Sequence, residues 1–164
     1  MTLLPFENQI KTILTEFHSP TQRYRNLGFS SKDFVALNQI TQTLKTLLPD
    51  YTFWEGDQSN LNNAPPLTCS HWDFIEQAFH SPHTGLIISE PDYWLSRWQI
   101  LEKQEFWGKL SIDFGGHNVI VIFPESHAFS QINQHYFYSK TLDSTPITAW
   151  ISTKTLLTFY NAIK

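Results

Sequence analysis

The chain has 164 residues, of which 41% are hydrophobic and 16% are charged. This length fits one domain, and the composition is too apolar and too weakly charged for intrinsic disorder. The net charge is −4, and residues 50–113 carry ten acidic but only three basic side chains, which would repel a phosphate backbone. We therefore expect no nucleic acid as the direct main ligand.

The sequence also bears on the cellular compartment. Cys69 is the only cysteine, so no internal disulfide can form. The first residues lack the cationic start, apolar run and cleavage site of a secretory signal. The longest apolar stretches, such as Val119 to Phe123, are far below the roughly eighteen residues that a membrane-spanning helix needs. We expect a cytoplasmic chain that does not enter a membrane.

Two amphipathic helices are predicted before residue 50. Apolar residues recur at helical spacing between Phe6 and Phe17, and again between Phe34 and Leu47. Ser30 or Ser31 is a candidate N-cap for the second helix, and Gly28 belongs to the link between the two.

Strand and helix signals alternate after residue 50. Apolar or β-branched runs predict strands at residues 51–54, 84–88, 118–123 and 146–151, and the residues after each run favour helices, including one long helix over 92–110. Crossovers of this length favour parallel pairing. We predict an α/β fold, a small three-layer domain with a mostly parallel, roughly four-stranded sheet and helices on both faces. Residues 1–164 would form a single domain, in which a helical segment, 1–49, packs on a Rossmann-like or degenerate P-loop-like core, 50–164.

The residues that follow the predicted strands are polar. Ligands of open parallel sheets bind beyond the carboxyl ends of the strands, and carboxylates with one imidazole at that edge suit Mg²⁺ binding or acid–base chemistry. The same residue types also satisfy free N–H groups at helix N-termini, which is the commoner reason for their presence. The candidate catalytic residues are Glu55, Asp57, Glu90, Asp92, Glu125 and His127.

Two short segments resemble known enzyme families. The run from Leu86 to Glu90 resembles the strand of P-loop NTPases that ends in two acidic residues, although this run offers one. The resemblance implies a non-hydrolysing member, because no G-x-x-x-x-G-K-[ST] loop occurs in the chain. Glu55 followed by Gly56 resembles the start of a Toprim nuclease or primase domain, which would also need paired aspartates after a later strand.

Other metal-binding and nucleophilic residues are sparse. His80 and His83 have ligand spacing, but no second pair of ligands completes a zinc site, so we expect no metal and no cofactor. Cys69 lies at a predicted helix start, where a thiol can have a lowered pKa, but a lone cysteine is more often an inert buried residue.

The most unusual property of the sequence is an aromatic content of 15%. Aromatic side chains are enriched at the centres of protein interfaces, although a core of large residues would also account for them. We expect at least one cluster among the following aromatic residues to be exposed for interaction: Trp54, Trp107, Tyr136, Phe137 and Tyr138.

The sequence therefore leaves two functional hypotheses. The preferred one is a non-catalytic protein-interaction subunit of a larger bacterial assembly; DNA transactions or phage defence would suit such an accessory protein, but no residue specifies them. The alternative is a metal-dependent hydrolase or nucleotide-binding enzyme that uses the acidic residues at the strand ends.

Overall fold

The computed structural model describes residues 5–17, 26–58, 64–80, 84–112, 118–124 and 137–152. The helices are α1 (Pro5–Phe17), α2 (Phe34–Leu47), α3 (His71–Ile75), α4 (Asp92–Leu95) and α5 (Ile100–Ile112). A 3-10 turn spans Gly56–Gln58, and a π-helical turn spans Glu76–His80. The strands are β1 (Asn26–Ser31), β2 (Thr52–Glu55), β3 (Gly85–Ser89), β4 (Asn118–Pro124), β5 (Phe137–Thr141) and β6 (Ile147–Ser152).

The described strands form one mixed sheet in the order β2-β3-β4-β1-β6-β5. The first four of these strands pair in parallel, whereas β6 pairs antiparallel to β1 and β5 pairs antiparallel to β6. The prediction of an α/β fold is confirmed, and the strands predicted at residues 84–88 and 118–123 pair in parallel as β3 and β4. The predicted strand number and mostly parallel pairing are wrong, because the sheet has six strands and mixed pairing.

Strand β1 lies between β4 and β6, within a segment for which we had predicted only helices. Every residue of β1 is buried, and a Cβ added to Gly28 would lie 3.1 Å from the ring of Phe123. Glycine therefore permits close packing here and does not mark a link. Ser30 and Ser31 are strand residues, and the N-cap of α2 is Asp33, whose side chain accepts a hydrogen bond from the N–H of Val35.

The antiparallel end of the sheet arises from a hairpin. The N–H of Leu142 donates to the carbonyl oxygen of Ile147 at 2.9 Å, and Ser144 has a positive φ of 62° in the connection. A connection this short can join only antiparallel strands. This local link explains why β6 departs from the expected crossover pattern.

Two hydrophobic clusters hold the helices to the sheet. Alternate strand residues point to opposite faces. Thus Ile87 of β3 and Ile122 of β4 pack in a cluster with α1 and α2, whereas Ile88 and Val121 pack in a second cluster with α3, α4 and α5. The cluster formed with α2 places that helix next to the carboxyl ends of the parallel strands.

Most of the tryptophans belong to the second cluster. Trp54 and Trp107 are 1% and 0% exposed, so neither of them belongs to the solvent-accessible cluster that the sequence predicts. Trp54 points toward α3 and contacts the ring of Phe74 at a centroid distance of 5.5 Å. The ring centroids of Trp107 and Phe123 lie 5.0 Å apart. Trp107 is not at the end of its helix, because α5 continues to Ile112. The aromatic excess is therefore explained largely by the core.

The helix ends show where local sequence signals hold. Ser70 caps α3 by accepting from the N–H of Asp73, as the sequence predicts. The single helix predicted over 92–110 is wrong, because α4 ends at Leu95 and α5 begins at Ile100. Glu102 Oε1 accepts from the N–H of Gln99 at 2.7 Å and so stabilises the second start.

Candidate functional site

A pocket of about 480 Å³ opens at the carboxyl ends of β2, β3 and β4, next to the first half of α2. Ligands of parallel sheets bind at this edge, and the volume lies within the range of small-ligand sites. We call this cavity the acidic pocket because Glu55, Asp57, Glu90 and Asp92 line it, while none of its described lining residues is basic.

The floor of the acidic pocket is a row of three residues in register. Glu55 of β2 is paired with Ser89 of β3, which is paired with Ile122 of β4. Ser89 lies two residues beyond Ile87, so its side chain points to the face on which α2 packs. Ser89 is only 5% exposed, and its hydroxyl makes no hydrogen bond to another described residue.

One wall of the pocket comes from α2. Asn38, Thr41 and Gln42 line the cavity and follow one another at helical spacing. The Oγ1 of Thr41 donates to the carbonyl oxygen of Leu37 at 2.8 Å. The side-chain amides of Asn38 and Gln42 therefore provide donors and acceptors beside the floor.

Asp57 and Glu90 join the ends of β2 and β3. The N–H of Asp57 donates to Oε2 of Glu90 at 3.4 Å. Burial raises the pKa of Glu90 above its usual value, and the side-chain hydrogen bond and negative charge of Asp57 raise it further, with an added rise from Glu55. Two carboxyl groups that interact in this way favour a shared proton or a bound cation.

The backbone around this pair is tightly constrained. Glu90 has a φ of 54°, in the left-handed region that side chains other than glycine rarely adopt. A Cβ added to Gly56 would lie 2.2 Å from the carbonyl oxygen of Glu90 and 2.8 Å from Cδ2 of Tyr93. The close approach of the two strand ends therefore requires glycine at position 56.

Glu55 is paired with a lysine at the inner end of the pocket. The Nζ of Lys45 lies 2.5 Å from Oε1 of Glu55 and 4.3 Å from the ring centroid of Phe53. This contact balances the charge of one of the carboxylates that line the pocket.

Exposed apolar side chains border the mouth of the pocket. Phe34 and Val35 in the first turn of α2 are 74% and 66% exposed, and Tyr93 is also exposed. Phe34 and Tyr93 themselves line the cavity. We call these three residues the apolar rim.

The structure brings together four of the six candidate catalytic residues. Glu55, Asp57, Glu90 and Asp92 line the pocket, while Glu125 and His127 lie outside the described residues. The alternative role of these acidic residues was to cap helix N-termini. At α4 no side chain forms such a cap, because the N-cap residue is Pro91 and no side-chain cap hydrogen bond is present there. Within the described ranges, no group of three histidine, cysteine or acidic side chains is arranged to hold a metal ion.

The remaining sequence candidates lie elsewhere or outside the described ranges. Phe137 and Tyr138 begin β5, and their role in interaction stays a prediction. Burial raises the pKa of the Cys69 thiol to about 11, and the charge of Asp73 raises it further. The position at a helix start therefore does not lower the pKa of this thiol. Tyr136 and His83 are not among the described residues.

A histidine on the other side of the sheet contacts two acidic residues. His71 Nδ1 lies 2.7 Å from Oε2 of Glu102, and its Nε2 lies 3.3 Å from Oε2 of Glu105. These contacts join α3 to α5, so we assign His71 a structural role.

Comparison with protein-family models, with curated proteins and with solved structures gives no match for this chain. No helix within the described ranges combines the length and apolar character needed to cross a membrane. Any statement about function therefore depends on the geometry of the pocket.

Sequence reasoning found the acidic residues but missed the wall and the rim. Phe34, Asn38 and Gln42 recur every four residues, which places them along one side of α2, next to its apolar stripe. That spacing is the one signal that could have indicated a second lined surface. Nothing in the sequence shows that this side of α2 lies over the strand ends.

Proposed function

We propose that this protein is a non-catalytic interaction subunit, and that its partner protein binds at the acidic pocket and the apolar rim. The observation that carries the proposal is the position of Phe34. This ring is 74% exposed and lines a cavity whose charged lining residues, among those that the structure describes, are all acidic. Exposed apolar side chains beside a concave polar site are typical of an interaction surface.

The charge of the pocket supports a basic partner. Four carboxylates line it, and Lys45 balances the one on Glu55. Complementary charge speeds association and selects against acidic partners. The partner segment that fits has a cationic side chain for the pocket and an apolar side chain for the rim.

The described residues support binding more than catalysis. The Ser89 hydroxyl has no hydrogen-bonded base among the described residues, so it lacks the activation that a nucleophilic serine needs. Cys69 lies outside the pocket, and its raised pKa makes it a poor nucleophile.

A photo-crosslinking residue at position 34 tests the proposal. The modified protein is expressed in its source organism, irradiated and analysed by mass spectrometry. Leu101 on α5 is the matched control, because it is 73% exposed but lies on a helix that packs on the opposite face of the sheet. We expect one partner to be crosslinked from position 34 and not from position 101.

The partner is then confirmed with purified proteins. Phe34→Ser should weaken its binding at least about thirtyfold, the expected loss of an aromatic anchor worth about 2 kcal/mol, while Leu101→Ser should leave binding unchanged. Equal crosslinking from both positions, or equal binding by both variants, would count against this interface.

One observation favours a second candidate, a hydrolase. Glu90 combines a raised pKa with a strained φ of 54°, and both features are common in catalytic acids. In that reading Glu90 would donate a proton and Asp57 would stabilise the developing cation. A screen with phosphoester, amide and glycoside substrates would show turnover that Glu90→Gln reduces at least about a hundredfold.

A further inference from the structure

We infer that the acidic pocket binds the guanidinium group of an arginine side chain from the partner protein, with Glu90 and Asp57 as charge partners and Ser89 as a hydrogen-bond acceptor on the floor. This inference rests on the proposed function and specifies the chemistry of the partner.

The first support is the paired carboxyl groups. Asp57 and Glu90 are held together by a hydrogen bond of 3.4 Å from the Asp57 N–H to Oε2 of Glu90. Burial raises the pKa of Glu90, and the side-chain hydrogen bond and negative charge of Asp57 raise it further. A cation bound beside the pair would favour the ionised form of Glu90.

The second support is independent of the acidic residues. Ser89 is only 5% exposed and lines the pocket, and its hydroxyl makes no hydrogen bond to another described residue. Its oxygen is therefore available as an acceptor, and a ligand with a donor N–H that reaches the floor would gain a hydrogen bond.

The arrangement of acceptors favours guanidinium over ammonium. Ser89 is the last residue of β3, whereas Asp57 and Glu90 follow the ends of β2 and β3. A planar guanidinium presents five N–H donors along different edges and can bond both sets at once, whereas an ammonium is a compact point charge. The rings of Phe34 and Tyr93 also line the cavity, and guanidinium groups stack well on aromatic faces.

The test uses small probes and does not need the partner. The ¹⁵N-labelled protein is titrated with N-acetyl-arginine methylamide and monitored by NMR. The citrulline analogue has the same shape without charge, and the lysine analogue has the charge without the planar group. We expect the arginine probe to shift the amides of Ser89, Glu90 and Asp57, and to bind at least about tenfold more tightly than citrulline and threefold more tightly than lysine.

Two variants and a control locate the contact. Glu90→Gln should weaken binding of the arginine probe at least about tenfold, and Ser89→Ala at least about threefold. Glu76→Gln is the matched control, because Glu76 is exposed on the π-helical turn and does not line the pocket. Amide spectra of each variant verify that the fold is intact.

The outcomes separate this inference from the proposed function. Binding that follows the expected order of probes and variants supports the arginine site. No binding, equal binding of citrulline or lysine, or no effect of Glu90→Gln and Ser89→Ala overturns it. A position-34 crosslink that persists in that case would leave the interaction subunit standing without the arginine site.

Discussion

The N–H of Asp57 donates a 3.4 Å hydrogen bond to Oε2 of Glu90, and this bond joins the turn after β2 to the residue after β3. The two side chains also interact, because the hydrogen bond and charge of the Asp57 carboxylate raise the pKa of Glu90 beyond the rise caused by burial. The raised pKa means that ionised Glu90 is less favourable in the folded protein than in the unfolded chain.

The first prediction concerns pH. Because the folded-state pKa of Glu90 is raised above its ordinary value of 4.5, the folded protein binds more protons than the unfolded chain between 4.5 and that raised value. The free energy of unfolding should fall as pH rises through this window. Glu90→Gln should flatten that fall and make the protein more stable at pH 7.

Urea unfolding at half-unit steps from pH 4 to pH 8 measures this effect. Glu76→Gln serves as the control and should keep the dependence of the parent protein. If the parent and Glu90→Gln show the same slope in that window, Glu90 does not have a raised pKa.

A second prediction concerns the left-handed backbone at Glu90. Glycine adopts a φ near 54° without the steric penalty of a side chain, so Glu90→Gly should raise the free energy of unfolding by about 1 kcal/mol. Ser144 has a φ of 62° in the β5–β6 connection, and Ser144→Gly should stabilise by a similar amount. Only Glu90→Gly should weaken binding of the arginine probe. Denaturation measures the stability of both variants, and NMR titration measures the binding of the probe to each. A stability loss in both variants would contradict the strained geometry.

The third prediction tests the close approach of the two strand ends. Gly56→Ala would place a methyl group 2.2 Å from the carbonyl oxygen of Glu90, so it should destabilise the protein by about 2 kcal/mol or more. Gly108 is the matched control, because a Cβ there meets nothing within 4 Å. Gly108→Ala in α5 should stabilise by up to about 1 kcal/mol. Thermal denaturation of both variants checks the pair, and equal melting temperatures would refute the packing.

A fourth prediction concerns Cys69. With a pKa of about 11, its thiol holds very little thiolate at pH 8. Alkylation by iodoacetamide at pH 8 should therefore be at least about tenfold slower in the folded protein than in the protein unfolded in urea. Mass spectrometry over a time course measures both rates. Equal rates would mean that folding neither shields the thiol nor raises its pKa.

The sequence predicted the features that depend on residues close together in the chain. The capping of α3 by Ser70 is local, since donor and acceptor lie three residues apart. The pairing of β3 with β4 follows from two continuous apolar runs, which only a doubly covered parallel sheet buries well.

The features that sequence reasoning missed depend on contacts between distant segments. Gly28 belongs to a central strand because it packs against Phe123, ninety-five residues later in the chain. The acidic residues of the pocket were found because strand ends converge at one edge. The wall from α2 was not found, because only the central position of β1 places α2 beside that edge.

The aromatic residues illustrate the same limit. Trp54 was expected to be exposed because it precedes a polar loop, but strand alternation turns it toward α3. Phe34 was expected to face the core because it fits the helical spacing, yet it is exposed at the first turn of α2. Composition left open whether the aromatic residues lie in the core or at the surface, and tertiary packing buries most of those that the structure describes.

Selection of peptides from a random display library on the immobilised protein would show which ligands bind at the acidic pocket and the apolar rim. We expect enriched peptides to carry an arginine next to an apolar residue. Synthetic versions should bind Phe34→Ser and Glu90→Lys at least about thirtyfold more weakly than the parent protein, and Leu101→Ser with unchanged affinity. Enriched peptides without arginine, or peptides whose affinity is the same for all three variants, would contradict an interaction site at the acidic pocket and its apolar rim.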